Sequence, residues 1–255
     1  MTQKNIRIIP QLHIKGNNVV KPVQTDALRV VGNPQELAYR YYQEGADEIL
    51  YMDIVASLYQ RNLDFSLIKS VTQDIFIPVT VGGGIRTLQD IHNALHSGAD
   101  KICINTYAIH EPLFIEKAVK EFGSQCIVLA IDAKKQQSGK WEAYTDGGRE
   151  PSGKDVITWI KEALDLGAGE IYISSIDRDG TRKGYDLDLI KAITSFARVP
   201  VVGHGGAGDL ESILAAVSEG QLDAVSSSSI FHFQDFTIVQ VKEYLHENNI
   251  NVRLV

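Results

Sequence analysis

Two residues that can exchange protons stand at equivalent places in the sequence. Asp132 ends the apolar run 127–131, and His13 holds the corresponding position in the first half of the chain. If both runs are strands that end around one site, a carboxylate and an imidazole there suit general acid–base chemistry. The structural alternatives are a carboxylate that caps a loop and a histidine that is packed without a catalytic role.

Two glycine pairs, each followed by small polar residues, form a second pattern. Glycine lets the backbone approach an anion closely, and neighbouring amides then hold it. Matched copies predict two phosphate sites for the two ends of one roughly symmetric ligand, and tight barrel corners are the alternative explanation. The residues are Gly83, Gly84, Asn105 and Thr106 in the first copy, and Asp179, Gly180, Gly205, Gly206, Ser228 and Ser229 in the second.

Four charged residues open apolar runs elsewhere in the chain, and their charges cancel. They are Arg7, Glu48, Lys101 and Glu170. Charges that enter the bottom of a barrel need partners, because an isolated buried charge is costly. A closed ring of two cations and two anions would satisfy them. A solvated rim is the alternative.

Short apolar runs alternate with segments of helical period, which predicts a (β/α)8 TIM barrel as a single domain over residues 1–255. Strands are predicted over 7–14, 48–54, 77–81, 101–105, 127–132, 170–175, 199–203 and 223–226. Helices are predicted over 34–44, 65–73, 88–97, 112–122, 154–166, 187–196, 210–219 and 236–247. The segments around Gly83 and Gly205 repeat one pattern, which indicates two half-barrels. Long connections over 15–33, 134–153 and 177–186 follow strands, on the face where barrel active sites form.

Composition narrows the class of protein. The chain has 255 residues, a net charge of −7 and an apolar fraction of 44%. The acidic balance argues against nucleic acid as a partner, and no apolar run is long enough for a membrane span. Two cysteines in apolar runs predict free thiols in a reducing cytoplasm. The scattered histidines predict no metal site, and we expect no cofactor.

The motifs together resemble the HisF family, the cyclase subunits of imidazole glycerol phosphate synthase. The resemblance covers nearly the whole chain. It rests on the strings Val81-Gly82-Gly83-Gly84-Ile85, Gly98-Ala99-Asp100-Lys101, Ile104-Asn105-Thr106, Phe122-Gly123-Ser124-Gln125, Ile131-Asp132-Ala133-Lys134, Ser175-Ile176-Asp177-Arg178-Asp179-Gly180-Thr181 and Gly205-Gly206-Ala207-Gly208.

The resemblance implies a bis-phosphorylated substrate, with one phosphate in each half of the barrel. It implies a HisH-like glutaminase subunit on the N-terminal face, near Asp100 and Gln125, whose ammonia crosses the barrel interior. The four charged residues match the family's gate to that passage. Lys21, Asp53 and Ser174 match substrate contacts. Two aspartates act as acid and base in the family, and Asp132 matches one of them.

This chain departs from the family pattern at the barrel mouth. His13 stands where the second catalytic aspartate is expected, and His204 where a serine usually precedes the second glycine pair. In the loop that closes on substrate, Pro22 replaces a glycine and Gln24 an aromatic residue. Proline fixes a backbone torsion, which predicts a stiffer loop.

Several functions therefore remain open. We expect an ammonia-using synthase subunit of a glutamine amidotransferase, with Asp132 and His13 as the acid–base pair. The close alternative is a HisF-like paralogue that delivers ammonia for amidination of an acetamido sugar in surface-polysaccharide assembly, with weak or no cyclase activity. A phosphoribosyl isomerase would need no gate. A non-catalytic barrel that only activates a glutaminase is the remaining alternative.

Overall fold

Eight parallel strands close into a barrel in the computed structural model, which describes residues 4–23 and 26–254. Gln24 lies outside these residues, and so does the side chain of Pro22. The sheet closes where Arg7 pairs with Ala224. The barrel strands are β1 (Arg7–Lys15), β4 (Ile49–Asp53), β5 (Val79–Gly82), β6 (Lys101–Ile104), β7 (Ile127–Lys135), β10 (Glu170–Ser175), β11 (Val201–His204) and β12 (Ala224–Ser227).

Helices cover the outside of the barrel, as the sequence predicts. They are α1 (Pro34–Gln43), α2 (Phe65–Thr72), α3 (Leu88–His96), α4 (Thr106–His110), α5 (Leu113–Phe122), α6 (Val156–Asp165), α7 (Leu187–Thr194), α8 (Leu210–Ser218), α9 (Ser229–His232) and α10 (Ile238–Glu247). The short helices α4 and α9 were not predicted. Within the described residues, no helix is both long enough and apolar enough to span a membrane.

Two of the predicted connections are partly wrong, because each contains a β-hairpin. Strands β2 (Asn18–Val23) and β3 (Asp26–Gly32) follow β1, and β8 (Trp141–Thr145) and β9 (Glu150–Asp155) follow β7. β2 pairs with the end of β1, and β8 with the end of β7. Helix α6 consequently begins at Val156, because Lys154 and Asp155 belong to β9 rather than to the predicted helix 154–166.

The barrel has two apolar layers, one on each face of its strands. The outer layer packs strands against helices. The other layer, which we call the inner layer, fills the barrel. It consists of Ile9, Leu50, Cys103, Val128, Ala130, Tyr172, Val202 and Ala224. Burial on both faces explains why the strands read as continuous apolar runs.

The two halves share local geometry at corresponding positions. The Asp100 carboxylate accepts from the Val79 backbone N–H at 2.8 Å, and Asp223 accepts from Val201 at 2.9 Å. Helices α3 and α8 both begin with a capping box, at Thr87 and at Asp209 respectively. These matched joints agree with a half-barrel repeat, which itself stays a prediction.

Candidate active site at the barrel mouth

A cavity of about 420 Å³ opens at the C-terminal end of the barrel. Strand ends and the loops after them form its wall, because parallel strands all deliver their carboxyl ends to this face. The predicted site residues that line the cavity are His13, Asp53, Gly83, Gly84, Asn105, Thr106, Asp132, Ser174 and Asp179. The structure therefore brings together the proposed acid–base pair, the first phosphate site and part of the second.

Asp132 is placed in the cavity wall by β7 and held there by an amide. Asn105 Nδ2 donates to Asp132 Oδ2 at 3.0 Å and to the Tyr144 carbonyl at 3.0 Å. Burial raises the pKa of Asp132 to about 7; the Asn105 hydrogen bond opposes this rise, and the Asp179 charge adds to it. The side chain is partly buried and faces the cavity. A carboxyl group in this state can give or take a proton near neutral pH.

His13 is also buried in the cavity wall, but with the opposite electrostatic result. Burial and then the Lys21 charge hold the pKa of His13 well below its usual range, so the ring is neutral. Its Nε2 lies 3.0 Å from Gln11 Nε2, and among the described residues its Nδ1 has no hydrogen-bond partner. The acid–base pair stays a prediction, in which Asp132 is the group that titrates near neutrality.

The first glycine pair forms an open corner of the cavity. Gly83 and Gly84 have φ values of 101° and 68°, which favour glycine. A Cβ at Gly83 would lie 2.2 Å from the Asp53 carbonyl oxygen, so no side chain fits there. Thr106 Oγ1 accepts from the Asp146 N–H at 3.0 Å, which fastens the hairpin loop beside this corner.

The second glycine pair has a different environment. Gly205, Gly206, Ser228 and Ser229 are buried, and the lining of the cavity does not include them. Gly206 accepts from the Gly184 N–H at 2.8 Å, so this corner packs against the loop after β10. Gly180 lies in the turn of the same loop. The two predicted phosphate sites are thus unequal, because only the first opens on the cavity.

A buried ion pair lies between the second corner and the cavity. Lys21 Nζ bonds Asp179 Oδ1 at 2.8 Å, and His204 Nε2 lies 3.5 Å from the same oxygen. Burial opposes ionisation of Asp179, but His204 and Lys21 outweigh it and hold its pKa well below its usual range. The Lys21 side chain is only 3% exposed. The charge of Lys21 in the hairpin and that of Asp179 in the loop are therefore paired with each other.

Asp53 is likewise engaged by the protein. Its Oδ1 accepts from the backbone N–H groups of Val55 and Ala56 at 3.1 and 3.0 Å, and Arg61 bonds its Oδ2 at 2.6 Å. Burial raises its pKa despite these contacts. A substrate contact by Asp53, which the sequence predicts, would have to share the carboxylate with Arg61.

The four charges at the opposite end of the barrel form a closed ring, and the solvated-rim alternative is wrong. Arg7 bonds Glu48 at 2.7 Å and also bonds Glu170. Lys101 bonds the same two carboxylates at 2.8 and 2.7 Å. The Thr80 hydroxyl donates to the second oxygen of Glu48 at 2.5 Å. Every charge therefore has two partners of opposite sign.

Asp100 and Gln125 are exposed on the face below this ring, immediately before β6 and β7. The Asp100 carboxylate also secures β5 through Val79, so it has a structural role apart from any partner. Among the described residues, no group of three or more histidine, cysteine, aspartate or glutamate side chains could hold a metal ion.

Sequence reasoning missed two residues of the interior, Gln11 and Tyr172. Their side chains hydrogen-bond each other across the barrel at 2.5 Å and line the floor of the cavity. Each is a polar residue inside an apolar run, which is a usable signal, but the sequence does not tell which polar residues meet.

With this geometry in place, comparison with known families is informative. The family profile described as "Histidine biosynthesis protein" matches residues 7–237. The match runs from the first ring residue, Arg7, through both glycine corners to the beginning of α10. The chain belongs to this histidine-biosynthesis family of (β/α)8 barrels, the HisF/HisA family, whose members are isomerase- and cyclase-type enzymes.

Proposed function

We propose that the chain is the ammonia-using synthase subunit of a glutamine amidotransferase of the HisF type. The observation that carries this proposal is the closed ring of Arg7, Glu48, Lys101 and Glu170 beneath an apolar interior that ends at Asp132. An isomerase with a freely diffusing substrate needs no axial passage, so the ring counts against that alternative. The family default is the cyclase reaction, which yields imidazole glycerol phosphate, so the enzyme is a lyase of histidine biosynthesis in this proposal.

In the proposed complex, a HisH-like glutaminase docks on the face that carries Asp100 and Gln125. The ring is the entrance through which ammonia reaches the interior. A bis-phosphorylated substrate lies across the mouth with one phosphate at the corner of Gly83 and Gly84. Asp132 exchanges the proton of the reacting centre, since burial brings its pKa to about 7.

A second candidate function is favoured by the other half of the mouth. His13 is neutral, and Lys21 and Asp179 are paired with each other. Among the described residues, the corner of Gly83 and Gly84 opens on the cavity, whereas Gly205 and Gly206 do not line it. These features suit a paralogue that delivers ammonia for amidination of an acetamido sugar and has weak or no cyclase activity.

Turnover of the ribulosyl-formimino intermediate with ammonium salt separates the two candidates. The cyclase proposal expects product without any partner, and expects Asp132→Asn to remove it. The paralogue proposal expects background turnover that rises when His13→Asp is made. Turnover by the intact chain contradicts the paralogue, and its absence in both the intact chain and His13→Asp contradicts the cyclase.

Binding to a glutaminase subunit tests what the two candidates share. We expect a 1:1 complex in size-exclusion chromatography, weakened by Gln125→Arg on the lower face. Gln137→Arg is the matched control, because Gln137 is exposed in the turn after β7 at the opposite end of the barrel. The absence of any complex would remove the ammonia delivery that both candidates share.

A further inference from the structure

Two buried polar side chains meet inside the barrel, where the apolar interior reaches the mouth. The Tyr172 hydroxyl donates to Gln11 Oε1 at 2.5 Å. Tyr172 is 4% exposed and Gln11 is 2% exposed. The two residues come from β10 and β1, which are not neighbours in the barrel, so their contact crosses the interior. We call this hydrogen-bonded pair the inner bar.

The inner bar lies between the ring and the cavity. Tyr172 follows Glu170 on the same face of β10, and Gln11 follows Arg7 and Ile9 on the same face of β1, since every second residue of a strand shares a face. Gln11 and Tyr172 also line the cavity floor. Ile9 of the apolar inner layer lies between Arg7 and Gln11 on β1, and Leu50 of the same layer pairs with Gln11 across β1 and β4.

Gln11 also connects the inner bar to His13. Its amide nitrogen lies 3.0 Å from His13 Nε2, and because an amide NH₂ group only donates, His13 Nε2 must accept. The ring proton of His13 is then on Nδ1. Tyr172, Gln11 and His13 thus form one chain of donors, in the order Tyr172 to Gln11 to His13.

We propose that the inner bar is a binding station for neutral ammonia at the upper end of the apolar interior. An ammonia molecule inserted between the two side chains accepts from the Tyr172 hydroxyl through its lone pair and donates to Gln11 Oε1. One hydrogen bond is exchanged for two, so the opening leaves no buried polar group unpaired. The proposed function supplies only the source of the ammonia, and the binding chemistry stands on the inner bar itself.

The same geometry discriminates against ammonium. Ammonium has donors and no lone pair, so it cannot accept from Tyr172. The hydroxyl oxygen can accept from ammonium, but insertion would leave the hydroxyl proton without a partner. The apolar side chains below offer no partner for its charge, and the carboxylates whose charges act on Tyr172, Asp132 and Asp179, lie on the cavity side of the bar. The inner bar therefore selects the form of the nitrogen that is also the nucleophile.

The test is carbon-13 NMR of the full chain labelled at the tyrosine ζ carbons, titrated with ammonium chloride. Burial holds the pKa of Tyr172 well above its usual range, so the hydroxyl stays protonated at pH 9.5, where ammonia is abundant. We expect a saturable shift of the Tyr172 resonance at pH 9.5, none at pH 6, and none with sodium chloride at either pH. Tyr39, which is 47% exposed, is the internal control and should not respond.

Two variants make the result specific. Tyr172→Phe, which removes one oxygen, identifies the resonance. Gln11→Leu keeps the tyrosine and should abolish the saturable shift, and it identifies the resonance too, should Tyr172→Phe not fold. A Tyr172 resonance that is unmoved at pH 9.5, or that moves equally with sodium chloride or at pH 6, would overturn the proposal.

Failure here is distinguishable from failure of the proposed function. If the chain binds a glutaminase but the Tyr172 resonance does not respond to ammonia, only the proposed ammonia site at the inner bar is disproved. A chain whose Tyr172 responds while no glutaminase binds keeps an ammonia site but has no amidotransferase partner.

Discussion

At the scale of single residues, burial acts on Asp132 and His13 in the same sense. It disfavours the charged form of both, so it raises the pKa of the carboxyl to about 7 and lowers that of the imidazole. The outcome is one group that titrates near neutrality on β7 and one that stays neutral on β1, across the mouth. Sequence indicated both positions correctly as parts of the mouth. It could not give their protonation, which depends on burial and on the neighbours Asn105, Lys21 and Asp179.

The raised pKa of Asp132 predicts how stability depends on pH. A carboxyl whose folded pKa lies above its unfolded value stabilises the fold below about pH 4, and that contribution is lost as pH rises through about 7. Asp132→Asn cannot ionise and keeps an acceptor for Asn105. We expect the free energy of unfolding of Asp132→Asn to exceed that of the unchanged chain by roughly 2 kcal/mol at pH 8.

Urea unfolding at pH 5 and pH 8 measures this effect. The advantage of Asp132→Asn should be much smaller at pH 5, where most of the native carboxyl is already protonated. An equal difference at both pH values would mean that the carboxyl titrates in its ordinary range and that burial does not control it.

At the scale of elements, the barrel strands were predictable and the two hairpins were not. Because each barrel strand is buried on both faces, its sequence is a continuous apolar run, and such a run can be recognised in the sequence. β9 contains Glu150, Pro151, Ser152 and Gly153 and carries no such signal. It is a strand because β8, itself paired with the end of β7, offers a free edge. The free edge belongs to β8, so the sequence of β9 alone does not reveal that β9 is a strand.

The Lys21–Asp179 pair fastens the β2–β3 hairpin to the loop after β10, and this predicts a large cost for breaking it. Lys21→Met leaves a buried carboxylate beside His204 without its cation. Removing one partner of a buried pair typically costs about 3–5 kcal/mol. We expect a loss of that size in the free energy of unfolding.

The control is a double-mutant cycle with Asp179→Asn. The double variant should recover part of the stability lost in Lys21→Met, because the unpaired charge is gone. If the two single changes simply add, the pair contributes nothing specific and the hairpin is held by its backbone bonds to β1.

At the scale of the whole molecule, the ring joins strands from around the barrel bottom. The positions of the four charged residues in the sequence allowed either a ring or a solvated rim, because sequence spacing does not determine whether four side chains meet in space. Convergence follows from closure of the barrel, which brings Arg7, Glu48, Lys101 and Glu170 to one level. Similarly, matched glycine pairs predicted two equal corners, while the covering of one depends on the loop after β10, which packs against Gly206 through Gly184.

Loss of one ring cation should destabilise the barrel. Lys101→Met leaves two carboxylates, only 5% and 7% exposed, to share Arg7. We expect the free energy of unfolding to fall by roughly 2 kcal/mol or more. Lys191→Met is the matched control, since the Lys191–Glu219 pair is exposed and should change stability by less than about 0.5 kcal/mol. Equal effects of the two changes would show that the ring charges are effectively hydrated.

Asp100 and Asp223 form matching joints beneath the two halves of the barrel. Both carboxylates fix the start of the preceding strand in the same way, although the corners above them differ. The two corners therefore differ above joints that are alike. A chimaera that carries the first half twice would keep a joint beneath each side of the cylinder, but its base would hold four cations against two anions, so closure should need a compensating acidic substitution there.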